Sequence, residues 1–421
     1  MVRCYGRVIQ VVGLVIEGIG PPLAVGEVCH IERTEGLGPI VAEVVGFREK
    51  RMLFMPLGET RGVQPGARIL PLDRPAQVKV GMGLLGRILD GLGETIDQRG
   101  PFVSEQVYPI YGSPPPPLLR RRITAPMDVG IKAINGLVTL GKGQRMAIFS
   151  GSGVGKSTLL GMIARHSAAD VNVVGLIGER GREVREFIER DLGEEGLRRS
   201  VVVVATSDQP PLIRMRGAYL ATAVAEFFRD QGKDVLLMID SLTRFAMAAR
   251  EVGLAVGEPP ASKGYTPSVF AQLPQLLERA GTREGEGSIT GLYNVLAEGD
   301  DIQDPIVDAV RSIVDGHLVL SRDLANQHHY PAIDVLGSIS RVMNDIVGKD
   351  HLEARARMVR LMATYKKAED LIQIGAYVSG NNPQIDEAIK KMPAILHYLQ
   401  QDIDEKVDLE QSVRLLKAAC A

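Results

Sequence analysis

The sequence predicts an α/β protein of three parts. A small antiparallel β-barrel is expected over residues 1–72, a central domain with a parallel sheet over 73–346, and a helical domain over 347–421. Three observations lead to this prediction: regularly spaced short apolar runs at the start, apolar runs that alternate with helical segments in the middle, and helical periodicity alone at the end. A chain of 421 residues is long enough for two or three domains.

The barrel prediction rests on four runs rich in Val and Ile, separated by turns that contain Gly or Pro. They read "RVIQVVGLVIEG", "GEVCHIE", "IVAEVVGF" and "RMLFMPL". Short strands at this spacing are typical of a small closed sheet. A proline run, "SPPPPLL" (Ser113 to Leu119), fits neither a helix interior nor a central strand. We expect it to form an extended connector.

The central part carries short apolar runs that predict strands buried on both faces. They are "RMAIF", "VNVVGLI", "VVVVA", "VLLMI" and "HLVL", and helical segments such as "KSTLLGMIARH" and "ATAVAEFFRDQG" lie between them. Such alternation favours a parallel sheet covered by helices, with right-handed crossovers. One further helix is expected in "YTPSVFAQLPQLLERAG", capped by Thr266, begun by Pro267, kinked at Pro274 and ended by Gly281.

The last part of the chain shows no strand-like runs. Apolar residues recur there at helical spacing, namely Met358, Leu361, Tyr365, Ala368 and Ile372. In "DLEQSVRLL" Asp408 is a possible helix cap with Gln411 as its partner. The sequence therefore predicts a small helical domain.

Composition excludes several classes of protein. Hydrophobic residues make up 45%, charged residues 24%, and the net charge is −2, so no global field attracts nucleic acid or an anionic membrane. The basic run "LLRRRIT" is explained by a solvated linker. No apolar run approaches the roughly 18 residues of a membrane span, and the start lacks the apolar region of a signal peptide. The cysteines Cys4, Cys29 and Cys420 have no metal-ligand spacing. We expect a cytoplasmic protein.

A glycine-rich turn follows the predicted strand "RMAIF". It comprises Ser150, Gly151, Ser152, Gly153, Val154, Gly155, Lys156, Ser157 and Thr158. Glycines between a strand and a helix let backbone N–H groups converge on phosphate oxygens. In such a P-loop Lys156 reaches the β- and γ-phosphates of ATP and the Ser157 hydroxyl ligates Mg²⁺. The strict motif begins with Gly where Ser150 stands, and a small residue is tolerable there.

Other polar residues follow the neighbouring strands. "VLLMID" ends in Asp240, which suits a water-mediated contact to Mg²⁺, and "VVGLIGER" ends in Glu179 and Arg180. The carboxyl ends of parallel strands share one edge, where ligands bind. Hydrolysis needs a group that orients or deprotonates the attacking water, and Glu179 is the candidate.

Six stretches together carry a resemblance. They are the P-loop, "GLIGERGREVREF", "DVLLMIDSLTRFAMAAREVG", "GYTPSVFAQLPQLLERAG", "AEGDDIQDPIVD" and "SRDLANQHHYPAIDVLGSISRVMN". In order and over nearly the whole chain, the sequence resembles the flagellar type III protein-export ATPases, relatives of injectisome export ATPases and of rotary ATP synthase catalytic subunits. The resemblance implies a barrel, a RecA-like ATPase domain and a helical domain.

The resemblance also implies roles for particular residues. Glu179 is then the catalytic glutamate, with Arg180 beside it near the γ-phosphate. Arg244 is the arginine of "SLTRF", and Arg341 is an arginine finger donated across a subunit interface. Tyr330, before "PAID", resembles the residue that stacks on adenine. From the residues alone, Tyr330 reads as a core residue and Arg341 as a surface cation.

The partners that the resemblance implies are those of an export apparatus. A homohexamer is expected at the inner face of the cell membrane, with export-gate proteins, a stalk, a stator-like regulator and cargo–chaperone complexes. Family members usually carry roughly 20 further residues, an amphipathic helix that binds the regulator and the membrane surface. Here the barrel sequence begins almost at once, which leaves both of those contacts open.

An injectisome export ATPase stays open on the sequence, because the motifs do not separate it from a flagellar one. Two alternatives outside the export ATPases also stay open. A rotary ATP synthase subunit shares the nucleotide-site residues, although a non-catalytic subunit is expected to lack Glu179. A hexameric RNA translocase shares the central domain but needs a basic groove with stacking aromatics. Aromatic residues make up 5% of the chain, which contains no Trp. The sequence therefore favours the export ATPase over both alternatives and predicts no nucleic-acid partner.

Overall fold

A computed structural model describes residues 5–34, 36–297 and 304–421, and the side chains of all of these except 73–75. The first region is a closed antiparallel barrel, which confirms the predicted fold. Its strands follow one another round the barrel in the order β1-β2-β5-β4-β3-β6. Their bounds are β1 (Gly6–Val12), β2 (Val15–Ile19), β3 (Glu27–Ile31), β4 (Ile40–Arg48), β5 (Arg51–Pro56) and β6 (Arg68–Pro75).

The barrel closes on its own small core, filled by the inward-facing residues of its strands. Ile16, Ile31, Phe54 and Ile69 are completely buried there. Gly18 faces the same core, where an added Cβ would lie 2.4 Å from the Ile69 side chain. One face of the strands thus fills the barrel, whereas on the other face Leu53 and Met55 of β5 pack into the core of the central domain.

Four short strands lie between the barrel and the first α-helix of the central domain. They are β7 (Gln77–Val80), β8 (Ile88–Asp90), β9 (Gln106–Pro109) and β10 (Pro126–Met127). The proline run contains a short 3₁₀ turn at Pro117–Leu119. The connector after it is docked at Arg120, which donates to the carbonyl of Ala280 at 2.8 Å, whereas Leu118, Arg121 and Arg122 are exposed as predicted. The expected solvated linker is thus wrong for Arg120, which is mostly buried.

The central domain alternates strands and helices. Its elements are α1 (Lys132–Leu137), β11 (Leu140–Gly141), β12 (Arg145–Ser150), α2 (Lys156–His166), β13 (Val171–Ile177), α3 (Gly181–Glu186) with a π-helical continuation (Phe187–Leu192), α4 (Gly193–Arg198), β14 (Ser200–Ala205), α5 (Pro211–Asp230), β15 (Asp234–Asp240), α6 (Leu242–Val256), α7 (Pro267–Leu277), β16 (Gly281–Thr282), β17 (Ser288–Leu296), α8 (Pro305–Ile313), β18 (Gly316–Leu320), α9 (Arg322–Asn326) and β19 (Ile333–Ser340). A short 3₁₀ turn lies at Ser262–Gly264.

The strand order in the main sheet is β19-β18-β12-β17-β15-β13-β14-β8. From β18 to β8 neighbouring strands are parallel, which confirms the predicted parallel sheet, whereas the edge strand β19 runs antiparallel to β18. The sequence prediction missed β17, which lies between β12 and β15. Its residues are buried from Ser288 to Val295. The chain segment 298–303, which contains most of the "AEGDDIQD" stretch, lies outside the described residues.

Helices cover both faces of the sheet. Leu212, Phe228 and Phe245 belong to the core on the face covered by α5 and α6. Leu159 and Ile163 of α2 lie in the core on the other face. The predicted helix at Thr266 begins as expected with Pro267, but the Thr266 side chain makes no cap hydrogen bond. That helix ends at Leu277, and Gly281 belongs to the short strand β16.

The last region is helical, as predicted. It contains α10 (Met343–Ile346), α11 (Lys349–Gln373), α12 (Pro383–Leu399) and α13 (Leu409–Cys420). The side chain of Asp408 accepts from the N–H of Gln411 at 2.7 Å, which confirms the predicted cap. The Tyr398 hydroxyl donates to the carbonyl of Lys132 at 2.9 Å and joins this region to α1. Among the helices that the structure describes, none combines the length and the apolar character needed to cross a bilayer.

Candidate active site

The P-loop connects the carboxyl end of β12 to the first residue of α2. Gly153 and Gly155 have φ of 78° and 88°, the left-handed region that favours glycine. Gly155 has a second constraint, since an added Cβ would lie 3.2 Å from the ring of Tyr330. Because α2 starts at Lys156, the unpaired N–H groups of its first turn lie directly after this loop. The loop and helix together form a cradle for an anion.

Lys156 lies between two carboxylates that come from other strands. Its Nζ donates to Oδ1 of Asp240 at 2.7 Å and lies 3.7 Å from Oε1 of Glu179. Asp240 ends β15 and Glu179 follows β13, so the sheet brings both to the edge where the P-loop lies. In chain order Glu179 is one crossover from the P-loop, but in the sheet β17 and β15 separate its strand from β12.

The surroundings shift the pKa values of Glu179 and Lys156. Burial, and next the negative charge of Asp240, raise the pKa of Glu179 to about 7. Oε1 of Glu179 is buried and accepts no hydrogen bond from the described residues. Burial by itself lowers the pKa of Lys156, but the charges of Asp240 and Glu179 outweigh it, and the Lys156 pKa lies above its ordinary value. A carboxyl with a pKa near neutrality is matched to proton transfer from water at physiological pH.

The residues at this edge fit a Mg²⁺ ion that arrives with a nucleotide. No group of three or more His, Cys, Asp or Glu side chains forms a metal site within the part of the chain that the structure describes. Mg²⁺ with a nucleotide needs none, because it takes one or two protein oxygens, several waters and the phosphates. Asp240 offers a buried carboxylate. Its Oδ1 accepts hydrogen bonds from Lys156 and Asn294, and neither of these bonds uses Oδ2. Ser157, in the first turn of α2, offers a half-buried hydroxyl.

A cavity of about 580 Å³ adjoins the P-loop on the side of α2. Gly153, Gly155 and Thr158 line one wall and Tyr330 lines another. Residues 400–403, which follow α12, complete the lining. The N–H of Gln401 donates to the carbonyl of Tyr330 at 3.0 Å and links this segment to the tyrosine. The sequence analysis predicted Tyr330 at the nucleotide but not residues 400–403, because nothing in a segment so far along the chain indicates contact with the P-loop.

Two predicted arginines lie near Glu179 in different environments. The Arg180 side chain is 80% exposed, and its guanidinium lies 3.5 Å from Oε1 of Glu183. Arg244, in the first turn of α6, packs against the turn that precedes Glu179. Gly178 there has φ of 70°, and an added Cβ would lie 2.6 Å from Cβ of Arg244. Nε of Arg244 is buried and finds no hydrogen-bond partner among the described residues.

Arg341 lies away from the P-loop of its own chain. It follows β19, whose last residue pairs with Gly316 at the start of β18. Its own N–H donates to the carbonyl of Asp315 at 3.0 Å. Because β18 and β12 are parallel, Arg341 lies at the amino edge of the sheet and the P-loop at the carboxyl edge, about 17 Å away along the strand direction. The side chain is exposed and does not join the cluster around Lys156.

Asn294 is a residue of this site that the sequence analysis missed. It lies near the end of β17, and its amide contacts Asp240 and Ser150. Ser150 is the one departure from the strict P-loop motif. Its side chain is buried, and its hydroxyl finds a hydrogen-bond partner in the amide oxygen of Asn294. The polar Asn294 in the otherwise apolar end of "SITGLYNVL" was the available signal, but the sequence prediction did not recognise this strand.

Comparison with known proteins follows the same three regions. Residues 8–73 match the β-barrel domain of the ATP synthase alpha/beta family, and residues 130–340 match the nucleotide-binding domain of that family. Residues 347–418 match the C-terminal domain of the type III secretion ATPase EscN. The chain is 53% identical over 415 residues to the flagellum-specific ATP synthase of Bacillus subtilis, covering 98% of this chain and 94% of the relative. It is 52% identical over 414 residues to the type 3 secretion system ATPase of Xanthomonas euvesicatoria, covering 98% and 93%.

Solved structures agree with this similarity. The assembled ATPase EscN from the type III secretion system of enteropathogenic E. coli matches with a TM-score of 0.94 at 46% identity, over 99% of this chain and all of that one. EscN in complex with its central stalk EscO matches with a TM-score of 0.91 at 45% identity, over 99% of this chain and all of that one. With a P-loop, a buried acidic cluster and full-length relatives of this identity, the chain belongs to the family of flagellum-specific ATP synthases and type III secretion ATPases.

Proposed function

We propose that this chain is a Mg²⁺-dependent ATP hydrolase that energises type III protein export for flagellum assembly. The cluster of Lys156, Asp240 and Glu179 beside the P-loop carries the hydrolase part of this proposal. The relatives support the export part, since flagellum-specific enzymes are up to 53% identical over nearly the whole chain. The match of residues 347–418 to the EscN C-terminal domain favours export over a rotary ATP synthase subunit.

Each residue of the cluster has one task in this mechanism. Lys156 leaves Asp240 and moves to the β- and γ-phosphates when ATP binds. Glu179 accepts a proton from the attacking water, for which its raised pKa suits it. Ser157, and Asp240 through water, would hold Mg²⁺, which would neutralise charge on the phosphate oxygens. Arg244, whose buried Nε has no partner among the described residues, provides a further cation beside Glu179.

The cavity beside the P-loop suits the adenine ring. Tyr330 lies against Gly155 and its side chain is partly exposed toward that cavity, so its ring has a free face for stacking. Arg180 follows Glu179 and has an exposed side chain, which can turn toward the γ-phosphate. The resemblance implies both roles. The partly exposed Tyr330 ring suits stacking, and the exposed Arg180 guanidinium suits a phosphate contact.

We also propose that the active form is a homohexamer in which Arg341 serves the neighbouring subunit. Arg341 lies at the sheet edge opposite its own P-loop, so it cannot reach its own nucleotide. The assembled form of EscN, at 46% identity, supports such an oligomer, and the complex of EscN with EscO supports a stalk as partner. Export-gate proteins, a stator-like regulator and cargo–chaperone complexes are the further partners, at the inner face of the cell membrane. Chaperone release and unfolding of the cargo are then the work done.

A mixing experiment tests the site and the assembly together. Arg341→Ala is expected to be inactive alone, because an arginine finger contributes about 10³-fold or more. Lys156→Ala is expected to be inactive alone, because the P-loop loses its cation at the β- and γ-phosphates. Mixed in equal amounts, the two variants should recover part of the wild-type turnover. An intact P-loop on one chain then meets an intact Arg341 on its neighbour.

The matched control is Arg198→Ala, which removes another exposed arginine and should keep wild-type turnover. If mixed oligomers are shown to form and no activity is recovered, that result contradicts an arginine finger that acts between chains.

Removal of the gene from its own genome tests the export assignment. Loss of flagellar filaments is expected, whereas normal filaments with lost secretion of other proteins would favour the injectisome.

A further inference from the structure

Asn294 lies between the two strands that carry the P-loop and Asp240. On one side β17 pairs with β12, where Asn294 is level with Ile148. On the other side β17 pairs with β15, where Tyr293 is level with Ile239, so Asn294 is level with Asp240. No other residue of β17 lies level with Asp240. The side chain is 1% exposed, deep enough that its amide needs partners inside the protein.

The amide of Asn294 has one partner on each side. Its Nδ2 donates to Oδ1 of Asp240 at 2.8 Å, and its Oδ1 lies 3.2 Å from the hydroxyl of Ser150. A carboxylate only accepts hydrogen bonds, so the amide nitrogen must face Asp240 and the amide oxygen must face Ser150. The serine hydroxyl therefore donates. A continuous chain of hydrogen bonds connects the first residue of the P-loop with the carboxylate of Asp240.

Asp240 Oδ1 thus has two donors, Lys156 and Asn294. In the proposed mechanism Lys156 leaves for the phosphates, and one of these donors is lost. Asn294 stays, because its backbone is fixed in the middle of the sheet. With Oδ1 still held by Asn294, the carboxylate keeps one of the two bonds that fix its orientation, and neither of those bonds uses Oδ2.

We infer that Asn294 is a positioning residue that holds Asp240 for Mg²⁺ and ties it to the P-loop through Ser150. This inference rests on the proposed function, since it concerns the metal that accompanies ATP. Outer partners of a metal-binding carboxylate typically change metal affinity by about 10- to 100-fold when they are removed. A buried asparagine with only a packing role would change stability and leave the metal dependence of binding untouched.

The test compares two variants of equal shape, Asn294→Val and Asn294→Thr. Both side chains are β-branched and suit a strand, but only threonine has a hydroxyl to donate toward Asp240. The measurement is the affinity for a fluorescent ATP analogue in Mg²⁺ and in EDTA, together with the Mg²⁺ concentration that gives half-maximal binding. We expect that concentration to rise about tenfold in Asn294→Val and less in Asn294→Thr, with unchanged affinity in EDTA.

Asn172→Val is the matched control. Asn172 is equally buried near the start of β13, where its Nδ2 donates to the carbonyl of Ala164 at 2.9 Å. It should lower the melting temperature and leave the Mg²⁺ dependence of binding unchanged. Wild-type Mg²⁺ dependence in Asn294→Val, or equal values for Val and Thr, overturns the positioning role. Failure of the wild-type protein to hydrolyse ATP with Mg²⁺ overturns the proposed function itself and this inference with it.

Discussion

Two buried ion clusters in the central domain differ in how completely their charges are paired. At the site, one Lys156 ammonium serves the carboxylates of Asp240 and Glu179. Near the proline-rich connector, the fully buried Arg279 guanidinium forms two parallel bonds with Glu226, of 2.9 Å and 2.6 Å. Its remaining nitrogen donates to the carbonyl of Ile110 at 2.6 Å.

This difference distinguishes a cluster that serves stability from a cluster that is available to a ligand. Arg279 and Glu226 balance one charge with one, and the flat guanidinium matches the carboxylate at two points. At the site one lysine contacts two carboxylates, and Oε1 of Glu179 accepts no hydrogen bond from the described residues. A lysine is a compact charge on a flexible stem, so it can change partners.

The largest expected effect comes from Lys156→Ala. The loop then loses its cation at the β- and γ-phosphates, and Asp240 and Glu179 are left without their shared partner. We expect ATP hydrolysis to fall below detection and nucleotide affinity to drop sharply. Steady-state phosphate release and titration with a fluorescent nucleotide measure the two effects, and near-normal turnover contradicts the P-loop assignment.

Glu226→Gln breaks the other cluster. The variant keeps the side-chain shape but leaves the Arg279 charge buried without its counter-ion, which typically costs about 3–5 kcal/mol of unfolding free energy. Urea unfolding followed by circular dichroism measures the loss. Nucleotide affinity of the folded fraction should stay at the wild-type value, since Glu226 lies on α5 and does not line the P-loop. An unchanged unfolding midpoint would mean that the Arg279 cluster does not contribute to stability.

Glu179→Gln should have the smallest of the three effects and the most selective one. It removes the proton acceptor and keeps the shape, so hydrolysis is expected to fall about 100-fold while Mg·ATP binding is retained. Single-turnover measurements and nucleotide titration separate the two quantities. Glu183→Gln is the control on the neighbouring helix α3, and its turnover should exceed that of Glu179→Gln. Equal losses of binding and turnover in Glu179→Gln would make Glu179 a structural residue.

The sequence predicted most of the fold because local patterns carry it. The runs that became β12 to β15 are mostly apolar, and polar residues stand at their carboxyl ends or within two positions of them, so both their burial and the edge of the sheet follow from their letters. β17 was not predicted, since Thr290, Gly291 and Asn294 interrupt its apolar run. Its buried place between β12 and β15 is decided by tertiary pairing rather than by propensity.

The site could be predicted where a motif supplies it and not where distant segments meet. Lys156, Asp240 and Glu179 each end or follow a recognisable strand, and the structure brings the three together. Asn294 and Gln401 were missed because their roles depend on contacts across many residues of chain. Arg341 is different again: its place at the far edge follows from the antiparallel direction of β19, which its apolar pattern does not reveal.

The placement of Arg341 and the P-loop at opposite sheet edges gives the proposed ring a direction. In the proposed closed ring neighbours meet head to tail, each lending its arginine to one side and receiving one from the other. A subunit that lacks both Lys156 and Arg341 would disable two sites, its own through the loop and the adjacent one through the missing arginine. Every joint of such a ring has the same sense, so its clockwise and anticlockwise directions are not equivalent.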